Sequence, residues 1–215
     1  MDLATFAIEA LTDIRTVGAV APSSRHLANA MLGPLPLKKA RTVVEVGPGT
    51  GAITRALLNR LPFDATLLAF EINPRFSRHL KSAVPDTRLS LLNTSAEKLR
   101  EEVERRGFRH VDAVVSSLAL AWMTPSQRHN FFSGVCSLLG EKGIFTQYKY
   151  VMSLQLKKNG HWERFDLEKV LHRYFRSVQK KMILRNLPPA FVYICKGPRA
   201  VQARATPDAA EHDRC

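Results

Sequence analysis

The chain has 215 residues, 45% of them hydrophobic, and 32 Lys and Arg against 19 Asp and Glu give a formal net charge of +13. That length and apolar share suit one domain with a sizeable core, and the absence of any apolar run of bilayer length excludes a membrane-spanning chain. The basic balance favours an anionic partner, either nucleic acid or an anionic membrane surface.

Taken in order, Asp2 to Arg15 reads as an amphipathic helix, with Leu3, Phe6, Ala7, Ala10, Leu11 and Ile14 on one face. It either packs on the domain or lies in a membrane interface. Gly18 and Pro22 break it. Ser23 or Ser24 then caps a helix through Ala28 to Leu32, and the same Ser pair with Arg25 can hold an anion. Gly33 to Pro36 links to a short buried strand, Arg41 to Val46. The turn Gly47-Pro48-Gly49-Thr50-Gly51 follows, and a helix runs from Ala52 to Arg60. Strand, glycine turn and helix open a nucleotide-type site in an open α/β sheet. The turn satisfies the weak dinucleotide pattern G-x-G-x-x-G/A. A second apolar strand closes on Glu71, about 20 residues on, where a carboxylate can accept from ribose hydroxyls.

Pro74 to Ala83 reads as a helix and Arg88 to Leu92 as a strand, followed by Asn93, Thr94, Ser95 and Ala96. A charged helix spans Glu97 to Arg106, and a fourth strand, Asp112 to Ser116, ends at the carboxyl edge with Ser116 and Ser117. Thr124 caps a helix to about Leu139 with Pro125 at its first position. Gly143 to Tyr150 is a fifth strand containing Tyr148. Gly160 to Tyr174 reads as helical, with Trp162 and Phe165 beside Lys157, Lys158, His161 and Arg164. Arg176 to Leu187 and Ala190 to Cys195 form a terminal strand pair, and Arg199 to Cys215 is a disordered tail. Cys136, Cys195 and Cys215 are scattered, without CxxC or Cys/His metal spacing. They read as reduced thiols with no metal, Cys136 and Cys195 as inert core residues. Met1-Asp2 opens without a basic n-region, so the expected location is cytoplasmic, with peripheral attachment to the inner membrane face allowed.

The fuller pattern Glu45-x-Gly47-x-Gly49-x-Gly51 resembles the first motif of class I S-adenosylmethionine (SAM) methyltransferases. With the segments Arg15 to Ser24 and Asn186 to Tyr193, the chain looks like the bacterial phospholipid N-methyltransferases, over nearly all of residues 10 to 197. That family is itself similar to the rRNA adenine dimethylases. The resemblance implies an α/β class I methyltransferase fold: a seven-stranded, mostly parallel sheet with an antiparallel last strand, helices on both faces and an N-terminal amphipathic helix. It divides the chain into N-terminal helices (1–32), a SAM-dependent domain (33–197) and a tail (198–215).

By the same resemblance the activity is N-methylation of phosphatidylethanolamine or its methylated forms toward phosphatidylcholine, at an anionic phospholipid membrane surface, by a monomer. SAM would be held by Glu45, Gly47, Pro48, Gly49, Gly51, Glu71, Ile72, Thr94, Ser95, Ala96, Ser116 and Ser117, with Ser23 and Ser24 closing over its methionine end. Ser116 and Ser117 would sit beside the transferred methyl; Tyr148, in the fifth strand, is the candidate for orienting the amine. Arg25, Tyr148, Arg185, Asn186 and Tyr193 would face the substrate, and the N-terminal helix would bind membrane. The chain departs from the family twice: Thr94-Ser95-Ala96 replaces Gly-Asp-Ala, and Ser117-Leu118-Ala119 lacks the family's proline. An ornithine lipid therefore stands as an alternative acceptor. An rRNA-methylase-like reading stands as another, but the Asn-x-x-Tyr/Phe signature of base methylation is absent and no nucleic acid is expected.

Overall fold

The computed structural model describes residues 25–151, 155–156, 162–163 and 165–200. The expected helix over Asp2–Arg15, Ser23, Ser24, Lys157, Lys158, His161, Arg164, the side chain of Trp162 and residues 201–215 lie outside the described residues. The elements are α1 (Arg25–Leu32), β1 (Thr42–Val46), α2 (Ala52–Leu58), β2 (Thr66–Phe70), α3 (Pro74–Ala83) and β3 (Leu89–Leu92), followed by α4 (Leu99–Arg105), β4 (Val111–Ser116), α5 (Pro125–Leu138) and β5 (Leu139–Tyr150). After these come a short pair, β6 (Gln155–Leu156) and β7 (Trp162–Glu163), then α6 (Leu167–Tyr174), β8 (Phe175–Ile183) and β9 (Ala190–Pro198).

Seven strands form one sheet in the order β3-β2-β1-β4-β5-β9-β8. The first five pair in parallel, and β9 runs antiparallel to both β5 and β8. Every residue of β1 is buried, as expected of a parallel strand covered on both faces. On one face Leu27 and Met31 of α1, Ile53 and Leu57 of α2 and Leu80 of α3 pack on Val43, Leu67 and Ala113. On the other, Leu99 and Val103 of α4, Phe131, Phe132 and Val135 of α5 and Leu171 of α6 pack on Val44, Leu68, Val114 and Phe145. Phe145 and Phe175 stack at 5.4 Å, and Phe132 stacks on Tyr174 at 4.7 Å.

Local chemistry sets the boundaries. Asn73 accepts from Arg75 N at 2.8 Å with Pro74 behind it, which starts α3. Thr124 and Gln127 form a capping box at the start of α5. Asp112 accepts from Arg41 N at 2.7 Å and Thr42 N at 3.0 Å, pinning the start of β4 to that of β1.

Several expected boundaries are corrected, among them the start of β5, which lies at Leu139 and not Gly143. The helix expected from Gly160 begins at Leu167, because Asp166 caps it by accepting from Lys169 N at 3.0 Å, while residues 162–163 pair as a strand with 155–156. The strand expected to reach Leu187 ends at Ile183, where Asn186, buried, donates from its amide to Pro188 O and shapes the turn into β9. Arg199, expected to begin the tail, is held by bonds from its N and Nε to Tyr174 O and Phe175 O. Cys136 and Cys195 are buried free thiols. Burial pushes Cys136 up to about 12 and Cys195 higher, as befits unreactive core residues.

Gly51 precedes α2 at φ +83, and a Cβ there would stand 2.3 Å from Leu80 Cδ1. Its role is to let α2 and α3 approach. Gly51→Ala combines a left-handed backbone with overpacking and is expected to cost about 1–3 kcal/mol. Urea unfolding checks this: the midpoint falls with the slope unchanged.

Candidate active site

Parallel strands bring their carboxyl ends to one edge, and the loops leaving β1, β2, β3 and β4 meet there. Main-chain bonds continue the ladders past the strand ends: Gly47 N to Phe70 O at 2.9 Å, Glu71 N to Leu92 O at 2.9 Å and Ser117 N to Val46 O at 2.8 Å. The glycine turn is therefore clamped between the β2 and β4 loops.

Glu45 lies one residue before the end of β1 and is fully buried, and neither carboxylate oxygen has a hydrogen-bond partner. The hydroxyls of Thr54 on α2 and Thr146 on β5, the latter two strands away in register, are also buried without partners. Burial raises the Glu45 carboxyl from 4.5 to about 8; attraction to the Thr54 hydroxyl, close by but outside hydrogen-bond geometry, opposes the shift and the Glu71 carboxylate adds to it. An uncompensated buried carboxylate is costly in a finished core. It is suited to receive a cation.

Glu71 ends β2. Its two carboxylate oxygens accept from Gly49 N at 3.1 Å and Asn73 N at 2.8 Å. Burial raises its pKa and these two bonds oppose the rise. Each oxygen keeps a lone pair for a further donor. Gly49 itself, at φ +55, has nothing within 4 Å of the position a Cβ would take. The backbone is thus open toward solvent space at this point, which suits close approach by a ligand. Ile72, next to Glu71, is 55% exposed, an apolar side chain at the rim. Asn93 donates from its amide to Glu71 O at 2.7 Å and Ile72 O at 3.1 Å, tying the end of β3 to this corner. Ser95 accepts from Glu97 N at 3.3 Å, and Thr94, Ser95 and Ala96 are all half-buried beside it.

The β4 side is built from Ser116, Ser117 and Leu118. Ser116 is buried and accepts from Leu118 N at 3.3 Å; Ser117 is half-buried. A Cβ on Gly47 would touch Leu118 Cδ2 at 3.3 Å, so this loop lies against the glycine turn. Tyr148 packs on the α1 face of the sheet with its ring 5.4 Å from Tyr150, and burial raises its phenol further above its ordinary value. It is thus a neutral hydrogen-bonding group rather than a base. Tyr193 is buried on the opposite face, pushed up to about 12 chiefly by burial. Arg25 and Arg185 are exposed, at the start of α1 and in the β8–β9 turn.

Two residues of this region are absent from the sequence reading, Thr54 and Gln147, and Asn93 has no role assigned in it. Gln147 is 1% exposed and lies in register between Ser116 and Tyr193. An amide amid the apolar and aromatic residues of the β5 pattern was the signal available for it.

Strand order with β9 reversed, a glycine turn after β1 and carboxylates at the ends of β1 and β2 define the class I fold of SAM-dependent methyltransferases, with SAM as the cofactor. Residues 43–143 match the family model described as Methyltransferase domain. A curated relative, the ornithine lipid N-methyltransferase of Singulisphaera acidiphila, is 29% identical over 182 residues, 84% of this chain and 88% of that protein. Among solved structures, the Burkholderia thailandensis 1,6-didemethyltoxoflavin-N1-methyltransferase, with S-adenosylhomocysteine bound, is similar at TM-score 0.67 and 16% identity, over 91% of this chain and 87% of its own. A putative rRNA-methylase from Clostridium thermocellum is similar at TM-score 0.54 and 22% identity, over 74% and 88% of the two chains. These last two likenesses speak to the fold alone.

Glu45 yields a pH signature. Its folded value stands above its unfolded one, so the contribution of the protonated carboxyl is fully present below about 4.5 and lost as pH rises to about 8. Glu45→Gln removes that loss, so thermal melts of the ligand-free protein should show the variant gaining on wild type steadily from pH 5 to 8. SAM affinity of the wild type should rise over the same interval, because the charged form receives a cation. In the variant it should be weaker and flat with pH.

Proposed function

We propose that this methyltransferase acts on the amine of a membrane lipid. The observation that carries the reading is a surface at the edge where the glycine turn opens. Because β8 runs parallel to β5, the β8–β9 turn lies at that same carboxyl edge, Ile183 and Ala190 being in register with Tyr150. At this end Met182, Leu184 and Leu187 are 50%, 71% and 72% exposed. They stand among cations: Lys181 and Arg185 line, with His26, a groove between this end of β8 and α1. Apolar side chains ringed by cations suit the interface of an anionic bilayer, each Lys or Arg adding about 1 kcal/mol near the surface. The lipid N-methyltransferase relative supports the same class of acceptor.

In this reading Glu45 receives the methionine ammonium of SAM, the open backbone at Gly49 lies along it, Glu71 accepts from the ribose and Ile72 and Ser95 meet the adenine. SAM supplies a methyl group already activated on a cationic sulfur. The chain's task is to hold the acceptor nitrogen in line and exclude water. Ser116, Ser117 and Tyr148 border the acceptor, and Arg25 and Arg185 face an anionic head group. The acceptor is the amine of phosphatidylethanolamine, of its methylated forms or of an ornithine lipid. The expected membrane helix over Asp2–Arg15 would add to the same attachment.

The test uses labelled SAM with vesicles holding phosphatidylethanolamine or ornithine lipid beside an anionic lipid, and with RNA. Label should enter the lipid extract, and the arm that takes it identifies the acceptor; label in RNA alone overturns the reading. The double variant Leu184→Glu, Leu187→Glu should lose transfer to vesicles by about tenfold or more, burial of two leucine side chains being worth about 3 kcal/mol or more. It should retain transfer to the same lipid dispersed in detergent.

A further inference from the structure

Gln147 has a bonding pattern that the cofactor reading does not use. Its side-chain Nε2 donates to Leu118 O at 3.0 Å and to Tyr148 O at 2.6 Å, so both amide hydrogens are engaged. Those two carbonyls also fix which end of the amide is which. The flipped arrangement would bring three carbonyl oxygens together with no hydrogen between them. The remaining atom, Oε1, is therefore a neutral acceptor held in one orientation, buried and without a hydrogen-bond partner. Buried acceptors are rarely left so, and a site for a ligand is one reason why they are.

Its place argues for which ligand. Gln147 is beside Ser116 on the neighbouring strand, and the carbonyl it holds belongs to Leu118, the residue lying against Gly47. It thus belongs to the β4 border of the glycine turn, on the opposite face of β5 from Tyr148. We infer that Gln147 Oε1 accepts a hydrogen bond from the N–H of the lipid amine and so orients its lone pair for methyl transfer. This inference rests on the lipid-amine reading.

A neutral amide suits that task better than a carboxylate. A carboxylate would favour the protonated ammonium, which has no lone pair. The amide carbonyl binds the neutral amine and binds it more tightly as the nitrogen gains positive charge, which is the differential stabilisation that accelerates a reaction. The amine lone pair forms the new N–C bond and displaces the sulfur, which keeps the electron pair of the broken C–S bond. The nitrogen's surplus proton then leaves to water.

The consequence depends on methylation state. A neutral primary amine has two N–H bonds and a monomethyl amine one, while a dimethyl amine has none. The Gln147 contact therefore serves the first two transfers and is absent from the third.

The experiment compares wild type with Gln147→Met, which keeps the side chain's shape and removes its hydrogen bonds. Lipids bearing primary, monomethyl and dimethyl amines are presented in mixed micelles. Three quantities are read: SAM affinity by calorimetry, affinity for each lipid in the presence of S-adenosylhomocysteine, and methyl transfer. The inference expects SAM affinity within about twofold of wild type and affinity for the dimethyl lipid unchanged. It expects transfer to the primary and monomethyl amines to fall about 10- to 100-fold. A fall in SAM affinity, or an equal loss on all three lipids, would show that Gln147 only braces the Leu118 loop and would overturn the inference. Undiminished transfer to the primary amine would do the same. Failure of wild type to methylate any of the three lipids would instead overturn the lipid-amine reading.

Discussion

The site depends on one hydrogen bond between residues far apart in the chain. Gly49 N, at the apex of the turn, donates to the Glu71 carboxylate, 22 residues on at the end of β2. A turn with three glycines in left-handed conformations has much conformational freedom to lose. The bond to Glu71 supplies a fixed partner, and the same carboxylate also accepts from Asn73 N, whose side chain caps α3. Turn, strand end and helix start are thereby referred to a single buried group. The Asn93 amide, bonded to the carbonyls of Glu71 and Ile72, extends that reference to β3.

Around this corner the polar groups divide by sheet face. Glu45, Thr54 and Thr146 leave acceptors and hydroxyls unpaired on the face covered by α1, α2 and α3, and Gln147 leaves one on the face covered by α4, α5 and α6. Other buried polar side chains nearby are paired, as Ser116 is to Leu118 N and Asn186 to Pro188 O. The core is therefore not loosely satisfied in general. Among the described residues its unpaired groups are Glu45 near the end of β1, Thr54 on α2, and Thr146 and Gln147 in the second half of β5.

Much of this was legible in the sequence. The β1 run, the glycine spacing and Glu71 announce themselves because a doubly covered strand is continuously apolar and a ligand-facing turn must be glycine-rich. That β8 and β9 oppose each other was legible from two strand-like runs separated by a Pro-Pro turn, since a connection that short permits only an antiparallel pair; that an antiparallel strand completes the sheet was implied by the resemblance. What escaped depended on distant partners. The roles of Thr54 and Gln147 follow from which groups lie beside them across helix and strand, and local pattern has no access to that. The late start of α6 escaped because aromatic and basic residues from Gly160 onward also satisfy a helical reading, and only the Asp166 cap decides the boundary.

The place of β9 bears on how the protein is made. It is the last of the seven strands in sequence, yet it is inserted between β5 and β8 rather than added at the rim. During synthesis the parallel strands β1 to β5 can pair as they emerge, but β5 keeps an open edge until residues 190–198 leave the ribosome. An unpaired edge is a template for association with other chains. Closure of the sheet thus waits on its last-made strand, and the interval before residues 190–198 pair is when this sheet is most exposed to aggregation.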